Sequence, residues 1–589
     1  MFASTPDRIV AYGATVTRPV IIGNCSGFYG DRLAAAREMV DGGPIDVLCG
    51  DYLAELTMLI LAKAQAKDPA GGYARTFLTQ VEDVLGTCRE RGIRIVANAG
   101  GLNPAGLADA VRALAARLGL TVAVAHVEGD DLRGDLSAVT PAVVGTPVSA
   151  NAYLGGWGIA QALAAGADVV VTGRVTDASL VVGPAAWWHG WDRDADDQEG
   201  WDRLAGAVAA GHVIECGPQA TGGNYPFLDE ITDLRRPGFP LAEVAADGSS
   251  VITKHPGTGG LVSVGTVTAQ LLYEIAEPAY LGPDVTTHMD TAVLTPDGEH
   301  RVRISEVRGS PPPSTLKVAL NDVGGFRNTM TFVLTGLDIE AKAARCEALL
   351  FDVLGGKDRF ASVDVRLLRF DTPDAAENAL ATAHLKITVM DPDPRVVGRA
   401  FSGAAMELAL GGYAGFHTTT PPTSESAYGV YRPAAVPRTA VEQVVVLPDG
   451  SRHVVADPPT GPVPPPPVVP PAELPDGPTV RAPLGAVCGA RSGDKGGNAN
   501  VGIWARDDAG HAWLRAYLTV DRLRGLLGPE AADLHIERFE LPALRAVNVV
   551  VHRLLGDGVA STARPDPQAK GLGEYLRSRI VDVPAALLD

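Results

Sequence analysis

The stretch Ile93-Arg-Ile-Val-Ala97, followed by Asn98-Ala-Gly-Gly-Leu-Asn-Pro104, leads from a short β-branched run through a polar turn into a helical pattern over Pro104–Leu118. The same order recurs throughout the first third of the chain. The other predicted strands are Val20–Gly23, Ile45–Cys49, Val122–Val127 and Asp168–Thr172, and the other predicted helices are Asp31–Val40, Ala54–Ala66, Tyr73–Arg91 and Gly156–Ala165. Such alternation predicts right-handed βαβ units, and hence a large N-terminal α/β domain with a mainly parallel sheet.

Polar residues follow each predicted strand of this domain. They are Asn24, Cys25 and Ser26; Asp51 and Tyr52; Asn98 and Asn103; His126, Glu128 and Asp130; and Arg174, Thr176 and Asp177. Because the carboxyl ends of parallel strands meet at one sheet edge, these turns are expected to line one cleft. Each turn taken singly also fits a simpler role, the capping of the next helix.

The turn Gly23-Asn24-Cys25-Ser26-Gly27 allows two functional interpretations. It fits a nucleophile elbow with cysteine in the serine position, although it follows the first strand and has no evident histidine partner. Extended to Gly30, it could instead hold a phosphate on backbone amides, with Asp51 placed as a ribose-binding acid. The glycine spacing is not that of a dinucleotide fingerprint. The row His126-x-Glu128-x-Asp130-Asp131 is interpreted as a solvated turn, so no metal site is predicted.

Three glycine-rich segments in the middle of the chain combine small residues with hydrogen-bond donors. They begin at Asn151, Glu215 and Thr253. Backbone amides freed by glycine can bind an oxyanion, and Lys254 with His255 could add charge or a proton. From these segments and the turns, the candidate catalytic residues are Asp51, Glu215, Cys216 and Lys254, and the candidate substrate-binding residues are Ser26, Asn98, Asn151, Arg174, Asp177, Thr221, Asn224 and His255.

The C-terminal part contains the most polar stretch, Arg491-Ser-Gly-Asp-Lys-Gly-Gly-Asn-Ala-Asn500. Its glycines, amides and charges of both signs suit a ligand-holding loop, and on composition alone a solvated turn fits as well. We interpret it as a loop with nothing in the core, between strands Leu484–Cys488 and Val501–Ala505. It adds Asp494 and Lys495 as catalytic candidates and Arg491 and Asn498 as binding candidates. Asp494 and Lys495 are expected to reach the large domain or a neighbouring subunit.

The domain boundaries are predicted from composition. Residues 1–456 would form the core domain, either undivided or with a subdivision near 265, where the pattern changes to α+β. Residues 457–480 would form a stiff proline-rich linker. Residues 481–589 would form a small ferredoxin-like α+β domain, with further strands at Ile536–Leu541 and Ala546–Leu554 and helices near Val520–Leu527 and Lys570–Ile580.

Charge and cysteine content exclude several classes of function. The 589-residue chain has a formal net charge of −19, which argues against nucleic-acid binding. No apolar run is long enough to span a bilayer, and Met1–Pro19 lacks the apolar core of a secretory signal. The cysteines lack Cys-x-x-Cys spacing, so neither a disulfide scaffold nor a zinc knuckle is predicted, and a cytoplasmic location is expected.

The motif Ser492-Gly-Asp-Lys-Gly496, followed by Gly497-Asn498 and Val501-Gly-Ile503, resembles the C-terminal signature of the acyclic terpene utilisation (AtuA-like) proteins. Similar segments occur in the N-terminal part, among them Cys49-Gly-Asp-Tyr52, Ala97–Pro104 and Gly173-Arg-Val-Thr-Asp177. The resemblance covers nearly the whole chain. It implies branched acyl-CoA or similar carbonyl substrates, and it carries no assignment of catalytic residues.

The leading hypothesis is an enzyme with lyase or hydratase chemistry on an acyl-CoA-type or related carboxylated substrate. Lys495 or Lys254 would stabilise an enolate or carboxylate, and Asp494, Glu215 or Asp51 would move the proton. One alternative is a thioester hydrolase or acyl transferase using Cys25 or Cys216, and another is a non-catalytic acyl-CoA-binding scaffold. A homo-oligomer, associated with acyl-CoA carboxylase pathway proteins, is also expected, and no cofactor is predicted.

Overall fold

The strands and helices predicted for the first third are present in the computed structural model, which describes residues 18–467, 469–470 and 472–588. The strands are β1 Val20–Asn24, β2 Val47–Gly50, β3 Arg94–Ala97, β4 Val124–Glu128, β5 Ser149–Ala152, β6 Val169–Thr172, β7 Pro240–Val244, β8 Ser250–Lys254, β9 Ala279–Leu281, β10 Thr286–His288, β11 Val293–Pro296, β12 Val302–Ser305, β13 Arg308–Ser310, β14 Thr315–Thr335, β15 Ser362–Arg369, β16 Thr382–Asp391, β17 His417–Thr418, β18 Ser426–Pro437, β19 Val444–Val446, β20 Arg452–Val454, β21 Thr479–Pro483, β22 Cys488–Lys495, β23 Asn498–Ala505, β24 Ile536–Leu541, β25 Ala546–Val551 and β26 Ile580–Pro584.

The helices pack on the sheets or connect their strands. They are α1 Ala35–Gly42, α2 Glu55–Lys67, α3 Arg75–Arg91, α4 Pro104–Arg117, α5 Trp157–Ala164, α6 Ser179–His189, α7 Gln198–Ile214, α8 Val264–Leu271, α9 Ile339–Leu354, α10 Pro394–Val397, α11 Arg399–Gly411, α12 Asp508–Tyr517, α13 Val520–Leu527 and α14 Leu572–Ser578. Across the described ranges, no helix has the length and apolarity that a membrane span requires.

The predicted α/β fold is confirmed, and the main sheet is mixed. Its strand order is β11-β12-β8-β7-β1-β2-β3-β6-β4-β19-β20. The central strands β1, β2, β3, β6 and β4 are parallel, and the flanking strands pair antiparallel. The antiparallel extension includes β7 and β8, which were not among the predicted strands. The central strands are buried on both faces, as expected for a sheet covered by helices.

The described residues form two compact units. One contains the described residues up to Asn321 together with Arg432–Gly556 and the residues from Gln568 onward. The other contains Asp322–Tyr431 and Asp557–Pro567, and its core lies between α9, α11 and the strands β14 and β16. The domain boundaries at 456 and 480 stay a prediction.

The C-terminal domain has the sheet order β22-β23-β25-β24, consistent with the predicted ferredoxin-like α+β fold. One part of the prediction was wrong. Residues 491–500 are not a loop between two strands, because β22 and β23 run through them and turn at Gly496 and Gly497. Ser492 and Asn500 are buried, so the stretch does contribute to the interior. The predicted strand Leu484–Cys488 is a 3₁₀ turn up to Ala486, and β22 begins only at Cys488.

Glycines allow this hairpin to lie directly against the large domain. A Cβ added at Gly493 would lie 2.3 Å from Cε2 of Tyr273, and one at Gly502 would lie 2.4 Å from Cβ of Leu272. Neither distance is compatible with a side chain. Gly493 was expected to help hold a ligand, whereas both glycines allow close packing.

Two expectations concern stretches that are only partly described. The signal-peptide argument rests on Met1–Pro19, most of which lies outside the described residues. The polyproline prediction includes Val468 and Pro471, which also lie outside them. The described residues between Asp457 and Pro478 contain neither helix nor strand, as a proline-rich segment requires.

Candidate functional site

A cavity of about 970 Å³ lies at the carboxyl ends of the parallel strands. Its wall combines the turns after β1, β2 and β6, the end of α7, the α8–β9 connection and the β22–β23 hairpin. Eight of the residues predicted from the sequence line it: Asp51, Arg174, Asp177, Glu215, Cys216, Asn224, Asp494 and Lys495. The structure therefore brings together residues that are more than 400 positions apart in the chain.

Hydrogen bonds between the strand-end turns hold the floor of the cavity. The backbone N–H of Asp51 donates to the carbonyl of Ser26 at 2.9 Å. Asn98 donates from Nδ2 to Oδ1 of Asp51 at 2.5 Å and accepts from the N–H of Tyr52 at 2.7 Å. Asn24 donates to the backbone carbonyl of Glu215 at 2.9 Å. Asn98 and Asn24 thus position Asp51 and Glu215.

Several predicted binding residues have structural partners and are not among the residues that line the cavity. Ser26 donates to the carbonyl of Phe28 at 3.1 Å, and Asn151 donates to Oδ2 of Asp130 at 2.8 Å. Thr221 donates to the carbonyl of Gly238 at 2.6 Å. Asn498 accepts from the N–H of Arg553 at 2.9 Å.

Lys254 and His255 also lie outside the cavity wall. Lys254 donates from Nζ to the carbonyl of Thr258 at 2.7 Å, within its own turn. The His255 ring lies 2.8 Å from the carbonyl of Met39 through Nε2, at the end of α1. Both side chains therefore stabilise the junction of β8 with its surroundings.

Arg491 does not line the cavity but contacts two residues that do. Its guanidinium lies 4.3 Å above the ring of Tyr273 and donates to Gln219, and both of these residues line the cavity. Burial lowers the pKa of this guanidinium from its usual value. Arg491 is thus placed to position two wall residues.

The β22–β23 hairpin reaches the large domain, as expected for Asp494 and Lys495. Lys495 donates from Nζ to the carbonyl of Glu274 at 2.7 Å and lies 5.5 Å from the ring centroid of Tyr280. Asn500 accepts from the N–H of Glu274 at 2.8 Å, and Asn548 donates to the carbonyl of Ala276 at 2.6 Å. Hydrogen bonds from the C-terminal sheet therefore hold the segment after α8 in place.

Sequence reasoning missed a second group of cavity residues. They are Glu55, Tyr153, His212, Tyr273, Glu274, Tyr280, Lys317 and Lys570. Tyr273, Glu274 and Tyr280 lie in the stretch Leu271–Tyr280, whose apolar composition gave no sign of a ligand site. The left-handed backbone of Glu274, with φ of 56°, shows the turn that directs this stretch to the cavity.

Cations of the cavity are balanced by neighbouring carboxylates. Arg174 pairs with Asp177 and lies 4.2 Å from the ring centroid of Tyr153. Lys317 lies 3.5 Å from Glu55 and 4.4 Å from the centroid of the same tyrosine. Burial alone would raise the pKa of Glu55, but Lys317 and Arg174 lower it to about 2. Glu55 is therefore a fixed anion at neutral pH.

Other groups of the cavity have pKa values shifted toward neutrality or beyond it. Burial, strengthened by Asp177, raises the pKa of both Asp51 and Glu215 well above the usual range. Burial and the charge of Glu274 raise the pKa of Asp494 to about 7. Burial, followed by Lys317, lowers the pKa of Lys495. Carboxyls with raised pKa values and a lysine with a lowered pKa therefore share one cavity, which is typical of an acid–base site.

Glu215 also presents a polar atom without a partner. Its Oε2 is buried and makes no hydrogen bond to any residue in the described part of the chain. Its Oε1 lies 3.3 Å from Nδ1 of His212, whose ring is buried beside Tyr280. Burial, followed by Lys495, lowers the pKa of His212 to about 4, so this imidazole is neutral. Buried polar atoms normally have partners, so Glu215 carries an unsatisfied oxygen that is closed to solvent.

The predicted elbow has neither an accessible nor an activated thiol. Cys25 is buried outside the cavity wall, and burial raises the pKa of its thiol to about 12. The N–H of Gly27, which a phosphate would need, donates to Oδ2 of Asp31 at 2.8 Å. Cys216 does line the cavity, but burial and Glu215 raise its pKa well above the usual value.

Comparison with protein families agrees with the resemblance in the motifs. The model described as "Acyclic terpene utilisation family protein AtuA" matches residues 20–447, and the model of the "AtuA ferredoxin-like domain" matches residues 482–582. The chain belongs to the acyclic terpene utilisation family. A search of curated protein sequences finds no significant match. The second match includes the hairpin of Asp494 and Lys495, so both matched segments of this family contribute to the cavity.

Proposed function

We propose that the cavity is the active site of an enzyme that adds water to, or cleaves a carbon–carbon bond in, a branched acyl compound. The observation that carries this proposal is that Glu215, Asp494 and Lys495 line one cavity, in which burial raises the pKa of both carboxyls. A carbonyl compound in this cavity would lie beside Lys495, which would stabilise the negative charge of its enolate.

Asp494, Lys495 and Glu215 have different catalytic roles in this proposal because their charges differ. Asp494, with a pKa of about 7, is the general base, because a substantial fraction of it is ionised at neutral pH. Lys495 stabilises the enolate oxygen, since a donor that is held in place before the reaction costs no reorganisation. Glu215, whose raised pKa keeps it protonated, is the general acid.

Hydration and bond cleavage then use the same three groups. In hydration, Asp494 takes a proton from water as the water oxygen bonds to the β-carbon, and Glu215 protonates the α-carbon of the resulting enolate. In cleavage, Asp494 takes the proton of a β-hydroxyl group, the bond between the α- and β-carbons breaks, and Glu215 protonates the enolate that leaves. Either sequence conserves protons and electrons and needs no redox partner.

The apolar part of the substrate has a suitable environment at the exposed side of the cavity. Phe28, Leu56, Leu281 and Val463 all line the cavity and remain largely exposed. A branched hydrocarbon chain would cover these side chains and so remove apolar surface from water. This arrangement supports an acyl chain as the substrate class.

The test is a thermal-shift screen of the wild type and of Lys495→Met against branched, α,β-unsaturated acyl-CoAs, the corresponding free acids, CoA and NAD. A ligand that binds only the folded state raises the melting temperature. We expect an acyl compound to stabilise the wild type, and an α,β-unsaturated one to be hydrated, as followed by loss of the enoyl absorbance. Equal stabilisation of both proteins, or none by any acyl compound, would contradict the proposal.

Cys216 provides the second candidate, because its side chain lies in the cavity wall. A thioester hydrolase or acyl transferase would need its thiolate, which the raised pKa makes scarce at neutral pH. Inactivation by iodoacetamide, prevented by an acyl-CoA, would favour this candidate over hydration or cleavage. A scaffold subunit, a homo-oligomer and association with acyl-CoA carboxylase pathway proteins stay predictions.

A further inference from the structure

A cluster of metal-ligand side chains lies in the C-terminal domain, separate from the cavity. Nitrogen or oxygen atoms of His535, Glu537 and His552 all lie within 4.8 Å of one another. Of the described residues that line the cavity, none is one of these three. The cluster therefore needs an explanation of its own.

The backbone places the three side chains on one face of the sheet. β24 and β25 pair antiparallel, with Ile536 opposite Val551, so the next pair along the register is His535 and His552. The N–H of His552 donates to the carbonyl of His535 at 2.9 Å, which extends the pairing to these two residues. Glu537 lies two residues after His535, and alternate residues of a strand point to the same face.

The side-chain geometry brings two imidazoles to one carboxylate. Nε2 of His552 lies 2.6 Å from Oε2 of Glu537, and Nε2 of His535 lies 3.8 Å from Oε1 of the same residue. The two imidazole centroids are 5.0 Å apart. Two nitrogens and a carboxylate oxygen on a rigid strand pair form a ligand set that divalent transition metals prefer.

We propose that His535, Glu537 and His552 bind a divalent transition-metal ion of the Zn²⁺ class. Three protein ligands leave a coordination position for water, as in zinc sites that stay open to solvent. The side chains are 70%, 39% and 32% exposed in the order of the sequence, so an ion reaches them without any rearrangement of the fold. Binding replaces the hydrogen bond between His552 and Glu537.

None of the three side chains is among the described residues that line the cavity, so the metal site does not depend on the reaction proposed above. Asn548, which contacts the segment after α8, is on the same strand as His552 and four residues before it. At the rise of a β-strand, four residues span about 13 Å. Because β23 and β25 pair Ala499 with Val551, the ion would lie at the end of this sheet where β22 and β23 form their hairpin.

The test uses the full-length, tag-free protein with ZnCl₂ in isothermal titration calorimetry, and CoCl₂ as a spectroscopic probe. We expect one high-affinity ion per chain, and visible cobalt bands without the thiolate charge-transfer band that cysteine ligation gives. His535→Ala and His552→Ala should each weaken binding by about 10- to 100-fold or more, since even the loss of an outer partner of a ligand costs that much. His453→Ala, which removes an exposed histidine on β20, is the matched control and should bind as the wild type does.

Two results would overturn the proposal. Equal zinc affinity in the wild type and both histidine variants would place any bound ion elsewhere. No binding by the wild type would leave the cluster as a hydrogen-bonded pair with a neighbouring histidine. Glu537→Gln keeps both imidazoles and a side chain of the same size, so weaker zinc binding by this variant, with an unchanged melting temperature in EDTA, separates ligand loss from misfolding.

Discussion

Two glycine-rich segments that each carry a lysine differ in where the fold places them. Lys254 and the turn up to Gly260 follow β8 and bond within themselves, whereas Lys495 and Gly496 lie at a hairpin that reaches across to the α8–β9 connection. In the sequence both segments were equal candidates for an anion site. The difference teaches that composition identifies residues able to bind a ligand, while the position of each lysine relative to the cavity decides whether it can reach one.

The strongest test of this comparison replaces each lysine by methionine. Lys495→Met should reduce turnover of an acyl substrate by about 100-fold or more, because it removes the donor that meets the enolate. Lys254→Met removes a lysine outside the cavity and should leave turnover per folded molecule unchanged. Steady-state kinetics on both variants measures the effect, and a similar loss in the two would make the distinction between the segments wrong.

Glu215 should be the next most sensitive position. Glu215→Gln keeps the size of the side chain but cannot give up a proton, so we expect a loss of about 100-fold in kcat with little change in KM. Glu277→Gln alters another carboxyl of the cavity that has no assigned role and serves as the control. A kcat of the Glu215 variant close to that of the wild type would contradict its role as the acid.

The close packing of the hairpin can be tested through stability. Gly502→Ala should lower the free energy of unfolding by roughly 1–3 kcal/mol, because the added methyl group meets Leu272 at 2.4 Å. Gly525→Ala is the matched control, since its Cβ would meet nothing within 4 Å and it lies inside α13. Thermal denaturation should show destabilisation of the first variant and a neutral or stabilising effect of the second.

A smaller effect is expected in the pH dependence of stability. The folded pKa of Asp494 is about 7, above its value of about 4 in an unfolded chain, so its protonated form is favoured in the fold. The stability that this carboxyl contributes is complete below pH 4 and is lost as the pH rises through 7. The melting temperature of the wild type minus that of Asp494→Asn should therefore fall as the pH rises from about 4 to about 7.

Asp521→Asn is the control for that profile, because its side chain is 98% exposed. It shows how replacement of an exposed carboxyl changes the melting temperature over the same range of pH. A flat profile for Asp494→Asn as well would mean that burial does not shift this carboxyl.

The smallest effect is expected at Cys25. Cys25→Ala should leave turnover unchanged, since this buried thiol lies outside the cavity wall. Cys216→Ala shortens a cavity side chain and should change mainly KM. Loss of all turnover in either variant, measured with an acyl-CoA, would support the cysteine-dependent alternative over hydration or cleavage.

The sequence alone determined the βα alternation, the family and many of the polar residues at the strand ends. These features are local, because β-branched runs form strands and the carboxyl ends of parallel strands meet at one edge. Asp51, Arg174 and Asp177 were found in this way, and Glu215 was found as part of a glycine-rich segment.

Only the tertiary structure decided which candidates share the cavity. Lys254 and His255 lie outside the cavity, whereas Lys495 lines it. Residues 491–500 form a partly buried hairpin and not a loop. Glu274, Tyr280 and Lys317 also line the cavity, although they come from stretches without a motif. The reason is physical: burial and neighbouring charge set the partner and the pKa of each group. Both depend on residues that are distant in the chain, such as Asp494 and Glu274.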